Sequence, residues 1–337
     1  MERRGDPDLI VVGGGPAGCA AALWAAHCGL AVRLYDRDDA NRYLPGETLP
    51  PAIEPLLEQL GARQALIDSC RVRHRGHRVA WRGDERSVAY GADERGEWLG
   101  FQVCRSTLHR GLRATAAATG VDVVESRVAR PLLHTGRVAG VVTDAGEDRA
   151  AFVVDATGGR HWLARAIRLD IARVSSPLVA TYGRRTGMLP AGAAAGLTST
   201  DSGWEWIASI DRDAHAWVRL GGPTSRRDPP AALRSLAPLG SVGRADATWR
   251  HIPQCAGPGY ALVGDASFVV DPAASHGVLL AVMSAMMAVE MIHAFLRGAA
   301  TEAVVAEGYR RWAGDRFFAD VAALRESYAT GLGEGVR

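Results

Sequence analysis

Gly13, Gly15 and Gly18 follow four apolar residues, Leu9 to Val12, and the run after them opens with Pro16 and Ala17 and continues in small residues. That order describes a buried parallel strand, a tight turn, and a helix whose first N–H groups stay bare to receive a pyrophosphate. Asp36 closes the next strand, Ala31 to Asp36, where a carboxylate can accept the hydroxyls of an adenosine ribose, and Arg37 follows it. The spacing predicts a dinucleotide at this end of the chain.

Two more strands end in acids. Phe152-Val-Val-Asp155 runs into Ala-Thr-Gly158, and Tyr260-Ala-Leu-Val-Gly264 runs into Asp265. An ionised carboxylate at a strand end can take hydrogen bonds from vicinal hydroxyls and is strengthened by its charge. Beyond Asp271, the segment Pro272, Ser275, His276, Gly277 and Val278 opens a long apolar helix. The dipole of such a helix stabilises negative charge at its start. His276 is there a candidate to bond a cofactor or accept a substrate proton.

The elements that must carry these groups can be read from periodicity. A short helix is expected over Ala52 to Leu60, short antiparallel strands over 71 to 98, and a helix from about Ser106 to Thr119. Trp204 and Trp206 alternate with smaller residues up to Ile210, a polar turn follows, and His215 to Leu220 alternates again. That is an antiparallel hairpin, read with its large aromatics on one face. Helices are expected from about His276 and from about Thr301 to Tyr328. His251 could line the same cleft, and the cluster Arg71, Arg73, His74, Arg75, His77 and Arg78 reads as a solvated strand edge, with a surface for an acidic partner as the alternative.

Bulk composition narrows the classes. A chain of 337 residues with net charge +2 has no basic run of the kind that binds nucleic acid. All 39 Lys/Arg positions are arginine, so no step can use an amine side chain. The five cysteines (Cys19, Cys28, Cys70, Cys104, Cys255) never fall as Cys-x-x-Cys, so neither a metal site nor a disulfide frame is implied and a reducing, cytoplasmic setting is expected. The apolar run Gly277 to Leu296 contains Glu290 and His293, which suits a buried helix better than stable membrane insertion.

Taken together, the Gly13/Gly15/Gly18 loop, Asp155-Ala-Thr-Gly158 and Leu262-Val-Gly264-Asp265-Ala resemble the three motifs of the FAD-dependent p-hydroxybenzoate hydroxylase superfamily. The resemblance implies an α/β fold: a Rossmann-like, glutathione-reductase-like FAD-binding domain interrupted by a mostly antiparallel β-sheet substrate domain. The former would take residues 1–75, 99–171 and 251–337, the latter 76–98 and 172–250. It also implies that Arg105 contacts FAD phosphate or ribose, that Asp265 holds the ribityl chain, and that Asp36, Arg37, Pro16, Ala17, Pro272, Ser275, Gly277 and Val278 belong to the cofactor site.

Gly46-Glu47-Thr48-Leu-Pro50 and the Trp204/Trp206 pair are similar to the tryptophan-halogenase branch. Two departures stand out: that branch uses a lysine, absent here, and its late catalytic glutamate aligns with Ala274. Within the branch the chain most resembles hydroxylases that mature protein-derived tryptophylquinone cofactors. By that resemblance the reaction is monooxygenation of an indole- or phenol-like ring through a flavin C4a-hydroperoxide, with O₂ as co-substrate. The substrate would be a small aromatic molecule or an aromatic residue borne by a peptide or protein. Trp204, Trp206, His276 and Glu47 would then line the reacting centre. The chain shows no second glycine-rich strand–turn–helix, so NAD(P)H would visit transiently or a separate flavin reductase would supply electrons. Two other readings stay open: a reductase resembling the geranylgeranyl reductases, and a non-catalytic flavoprotein assembly factor.

Overall fold

Leu9–Val12 is buried on both faces because it lies inside a six-stranded sheet, which is why its sequence is continuously apolar. The strand order is Asp122–Glu125, Val32–Asp36, Leu9–Val12, Phe152–Asp155, Tyr260–Leu262 and Ala256–Gly257. The first five run parallel and Ala256–Gly257 antiparallel. A computed structural model describes residues 5–37, 48–190 and 195–330 of the chain.

The first helix, Pro16–His27, begins with the proline whose fixed φ suits a helix start. It ends where Gly29 takes φ +80° and the N–H of Leu30 closes on Ala25 O at 3.0 Å. Its alanine-rich face packs along the long helix Gly277–Leu296, which in turn packs against the last helix, Glu302–Thr330. Among the described residues, Gly277–Leu296 is the one helix long and apolar enough to cross a membrane, and half of that stretch is buried inside the fold. Glu290 on this helix accepts Trp24 Nε1 at 2.7 Å, which accounts for an acid in an apolar run.

A second, eight-stranded sheet is assembled from two distant stretches of chain. Its main path runs Ala237–Pro238, Val179–Thr186, Ala214–Gly221, Gly203–Ser209, Gly196–Thr200, Gly76–Trp81 and Asp84–Ala89, and Gly243–Asp246 also pairs with Val179–Thr186. The pairings are antiparallel except where Gly196–Thr200 meets Gly76–Trp81.

The hairpin forms, but its aromatics divide between two faces. Trp204 pairs with Leu220 and Trp206 with Val218, whereas Trp217 pairs with Ile207. Directly opposed residues share a face and neighbours alternate, so Trp217 points away from Trp204 and Trp206. It packs with Ile207 and Leu233 instead, and is fully buried.

Candidate functional site

A cavity of about 860 Å³ runs between the two sheets, from the glycine loop to the Trp204/Trp206 strand. At the first end, the loop's glycines are required for different reasons. A Cβ on Gly13 (φ +107°) would lie 2.5 Å from Ala156 O; one on Gly14 would collide with the Asp36 carboxylate, and one on Gly18 with Gly13 O. Gly15 is different: a Cβ there meets nothing within 4 Å. It is the N-cap of the first helix and no side chain caps that turn. The space it leaves, faced by uncapped amides, is a place for a phosphate group. Gly13, Gly15, Pro16, Ala17, Asp36 and Arg37 all line the cavity, and Gly18 lies buried below them.

Asp36 is held by Arg113, whose Nη1 lies 3.3 Å from its carboxylate. Arg113 shares a face of the helix Arg105–Ala118 with Arg105 and His109, each one turn apart. Arg105 directs Nε and Nη2 at His109 Nε2 at 3.3 and 3.2 Å. Burial, then the neighbouring Arg105 and Arg113 charges, lowers the His109 pKa to about 3, so its ring is a neutral acceptor that orients Arg105.

The middle acid is a correction. Asp155 is fully buried and does not line the cavity, because both carboxylate oxygens are occupied: they accept the backbone N–H groups of Thr157 and Leu163, each at 2.9 Å. It shapes the turn, and Gly158 (φ +74°) and Gly159 present that turn to the cavity.

At the late motif, Gly264 (φ +58°) is crowded by Ala17 and Ala281, and its N–H donates to Ser284 Oγ at 2.8 Å. Asp265 thereby projects into the cavity. Its side chain is exposed to that cavity, and the surrounding protein raises its carboxyl against the pull of Arg250 and Arg105. Arg250, which is 3% exposed, also faces the cavity. Its Nε donates to His161 Nε2 at 2.7 Å, its Nη1 to Thr248 O at 2.7 Å and its Nη2 to Gly159 O at 3.2 Å. His251, its neighbour, turns away and stacks on Phe317 with ring centroids 4.8 Å apart.

The other end of the cavity is walled by Trp204, Trp206, Tyr182, Leu197, Ala180 and Val218. Trp204 Nε1 donates to Tyr328 Oη at 2.9 Å and lies 3.2 Å from Asp271 Oδ1; Tyr328 Oη donates to Asp271 Oδ2 at 2.6 Å. Asp271 also caps the turn Pro272–Ala274 by accepting Ala273 N–H at 2.8 Å. Pro272, Ser275, Gly277 and Val278 line the cavity. The start of Gly277–Leu296 has no side-chain cap, so its dipole end is open there.

His276 does not line the cavity, which corrects its expected place at the reacting centre. Ser275 adopts φ +53°, and the electrostatic neighbours of His276 are Asp320 and Arg316 of the last helix and His77. Burial lowers its pKa first of all. Glu47 lies outside the described residues. In the basic cluster, Arg73 lies over the Phe101 ring at 3.7 Å and donates to Leu99 O and Gly100 O, so part of that edge is internal structure.

A family model for an FAD binding domain matches residues 6–209, the stretch that carries the glycine loop, Asp36, Arg105 and the middle motif. The chain belongs to this FAD-binding family. It is 28% identical to a tryptophan 2-halogenase from Chondromyces crocatus over 97% of this chain and 70% of that protein. It is also 28% identical to a menaquinone reductase from Mycolicibacterium smegmatis over 85% of this chain and 76% of the relative. Among solved structures, the flavin-dependent brominase Bmp2 superposes with a TM-score of 0.85 at 20% identity, covering 98% of this chain and 89% of that one. The peptidyl tryptophan dihydroxylase QhpG superposes with a TM-score of 0.74 at 22% identity, covering 98% and 78%. The chain is therefore a flavoprotein-type oxidoreductase of α/β fold.

The FAD site fits what the residues offer. The space beside Gly15 and the bare turn after it suit the pyrophosphate, Asp36 a ribose, and Asp265 a polyol. The open start of Gly277–Leu296 suits a ring that becomes negatively charged on reduction. Sequence reasoning missed Arg250, Ser284, Asp271 and Tyr328. Only Asp271 and Arg250 carried a local signal, as neighbours of residues that were singled out.

Proposed function

We propose that the protein is an FAD-dependent monooxygenase that hydroxylates an electron-rich aromatic ring. The observation that carries this is the wall opposite the flavin loop: a neutral surface of Trp204, Trp206 and Tyr182 with Leu197, Ala180 and Val218, continuous with the cofactor end of one cavity. Bound and reduced, FAD would supply the electrons that activate O₂ for transfer of one oxygen atom.

The chain's own residues bind, orient and keep the site dry. Gly15, Asp36 and Asp265 would hold the cofactor, and Arg105 its phosphates or ribose. The aromatic wall excludes water from the reacting region and stacks a flat substrate. Asp271 fixes the turn at Pro272–Ala274 relative to Trp204, so the cofactor-facing loop and the substrate wall keep one spacing. The absent lysine and Ala274 argue for direct oxygen transfer rather than halogenation. The ring would be a free aromatic or one carried by a peptide or protein, as with the dihydroxylase of similar fold. Electrons would come from NAD(P)H or a separate flavin reductase.

Similarity to a menaquinone reductase favours one second reading, reduction of an alkene in a lipid-like substrate held on the same apolar wall. Oxygen uptake separates the two. With reductant supplied, O₂ consumption that rises on adding an indole or phenol supports hydroxylation. Anaerobic reduction of a polyprenyl quinone, with no aromatic-stimulated uptake, overturns it.

A further inference from the structure

Tyr328 reaches the cavity wall from the end of the last helix, far from every cofactor motif in sequence. Its hydroxyl donates to Asp271 at 2.6 Å and accepts Trp204 Nε1 at 2.9 Å. Its ring meets Trp81 edge-on at 5.3 Å between centroids and Trp249 at 6.1 Å. Asp271 is 1% and Trp204 2% exposed, and Trp204 borders the cavity. A phenylalanine would fill the same aromatic nest. A phenol bonded at once to a buried carboxylate and to an indole does something a phenylalanine cannot.

A phenol that gives up an electron becomes a strong acid, so its oxidation inside a protein requires a proton acceptor within hydrogen-bond reach. Asp271 is that acceptor. Burial raises its proton affinity, and burial together with the Asp271 charge opposes simple ionisation of Tyr328. Loss of the proton ahead of the electron is therefore opposed, and the proton leaves with the electron or after it.

We propose that Tyr328 is a one-electron donor connected to the cavity through Trp204, with Asp271 receiving its phenolic proton. The role rests on the reading above, in which a flavin is bound in the cavity that Trp204 borders. Bound oxidised flavin excited by blue light is a one-electron oxidant, and in the cavity it takes an electron from the Trp204 indole. An electron then passes from the Tyr328 ring to Trp204, while the proton moves from Tyr328 Oη to Asp271 Oδ2. The indole is restored and the oxidant carries the extra electron. The indole's positive charge and the carboxylate's negative charge cancel, leaving a neutral tyrosyl radical and a protonated carboxyl. The pair thus spares the cavity's tryptophan wall when no substrate ring is present to be oxidised.

The test illuminates the FAD-loaded protein with blue light, in the presence of pentaamminechlorocobalt(III) as an irreversible one-electron acceptor, and records frozen-solution EPR spectra. Wild type is expected to give a neutral tyrosyl spectrum. Tyr328→Phe and Asp271→Asn lose it and show a tryptophanyl signal. Tyr260→Phe, whose hydroxyl bonds Gln254 O outside the cavity, keeps the tyrosyl spectrum. A tyrosyl signal unchanged in Tyr328→Phe, or a wild type giving only tryptophanyl signal, overturns the proposal. A tyrosyl signal that persists in Asp271→Asn overturns the role of Asp271. If the protein takes up no FAD, the flavin reading fails separately. The same variants are then oxidised by flash-generated ruthenium(III) tris(bipyridine), and the same outcomes decide the pair.

Discussion

Ser284 Oγ accepts the backbone N–H of Gly264 at 2.8 Å while donating to Ala281 O at 3.1 Å, with the serine wholly buried. One hydroxyl on the long helix thus sets the left-handed turn that aims Asp265 into the cavity. Ser284→Ala leaves a buried N–H unpaired, a loss of roughly 1–3 kcal/mol. Thermal unfolding should show that loss, and FAD titration should show weaker binding, since the turn and the carboxylate move together.

Gly15 separates folding from cofactor binding. Its backbone (φ −74°, ψ −174°) is extended and accessible to any residue, and an added Cβ meets nothing in the protein. Gly15→Ala should leave the stability of the FAD-free protein within about 0.5 kcal/mol of wild type. It should weaken FAD binding by about tenfold or more, roughly 1.4 kcal/mol, by occupying the phosphate's space. Flavin fluorescence titration beside thermal melts checks both.

His109 makes the fold acid-sensitive. Its folded pKa of about 3 lies below the ordinary 6.5, because burial and then Arg105 and Arg113 disfavour its protonation. The unfolded chain takes the proton first, so this contribution is complete above pH 6.5 and is lost as pH falls toward 3. His109→Gln keeps a neutral polar group and should flatten the decline in stability across that window. Denaturant melts at several pH values will show whether the slope changes.

Trp206→Ala should abolish most aromatic-stimulated oxygen uptake and leave FAD affinity intact, because Trp206 stands on a strand of the second sheet and not on the glycine loop. Trp217→Ala should act on stability instead, by roughly 3–5 kcal/mol. His276→Ala should retain both FAD binding and turnover, since His276 does not line the cavity and its charged neighbours are Asp320 and Arg316 of the last helix.

The contrast between these residues shows which parts of the site were legible. Gly13, Gly15, Gly18 and Asp36 act through neighbours close in sequence, so strand, turn and helix could be read directly. Asp155 was seen as a strand-end acid, but its occupied oxygens depend on the path of the following turn. His276 stands beside cavity residues, yet the positive φ of Ser275 changes the chain direction just before it. His251 and Arg250 are adjacent, and strand alternation sent the arginine inward. Asp271 gains its meaning from Trp204 and Tyr328, 67 and 57 residues away, contacts that no local pattern encodes.

The most direct measurement supplies reductant, heavy-isotope O₂ and an indole or phenol accepted by the protein, and weighs the product. Hydroxylation on the Trp204/Trp206 wall requires one labelled oxygen atom in the ring product, and Trp206→Ala should remove it. A product that is reduced rather than oxygenated, or that carries its new oxygen from water, contradicts the assignment.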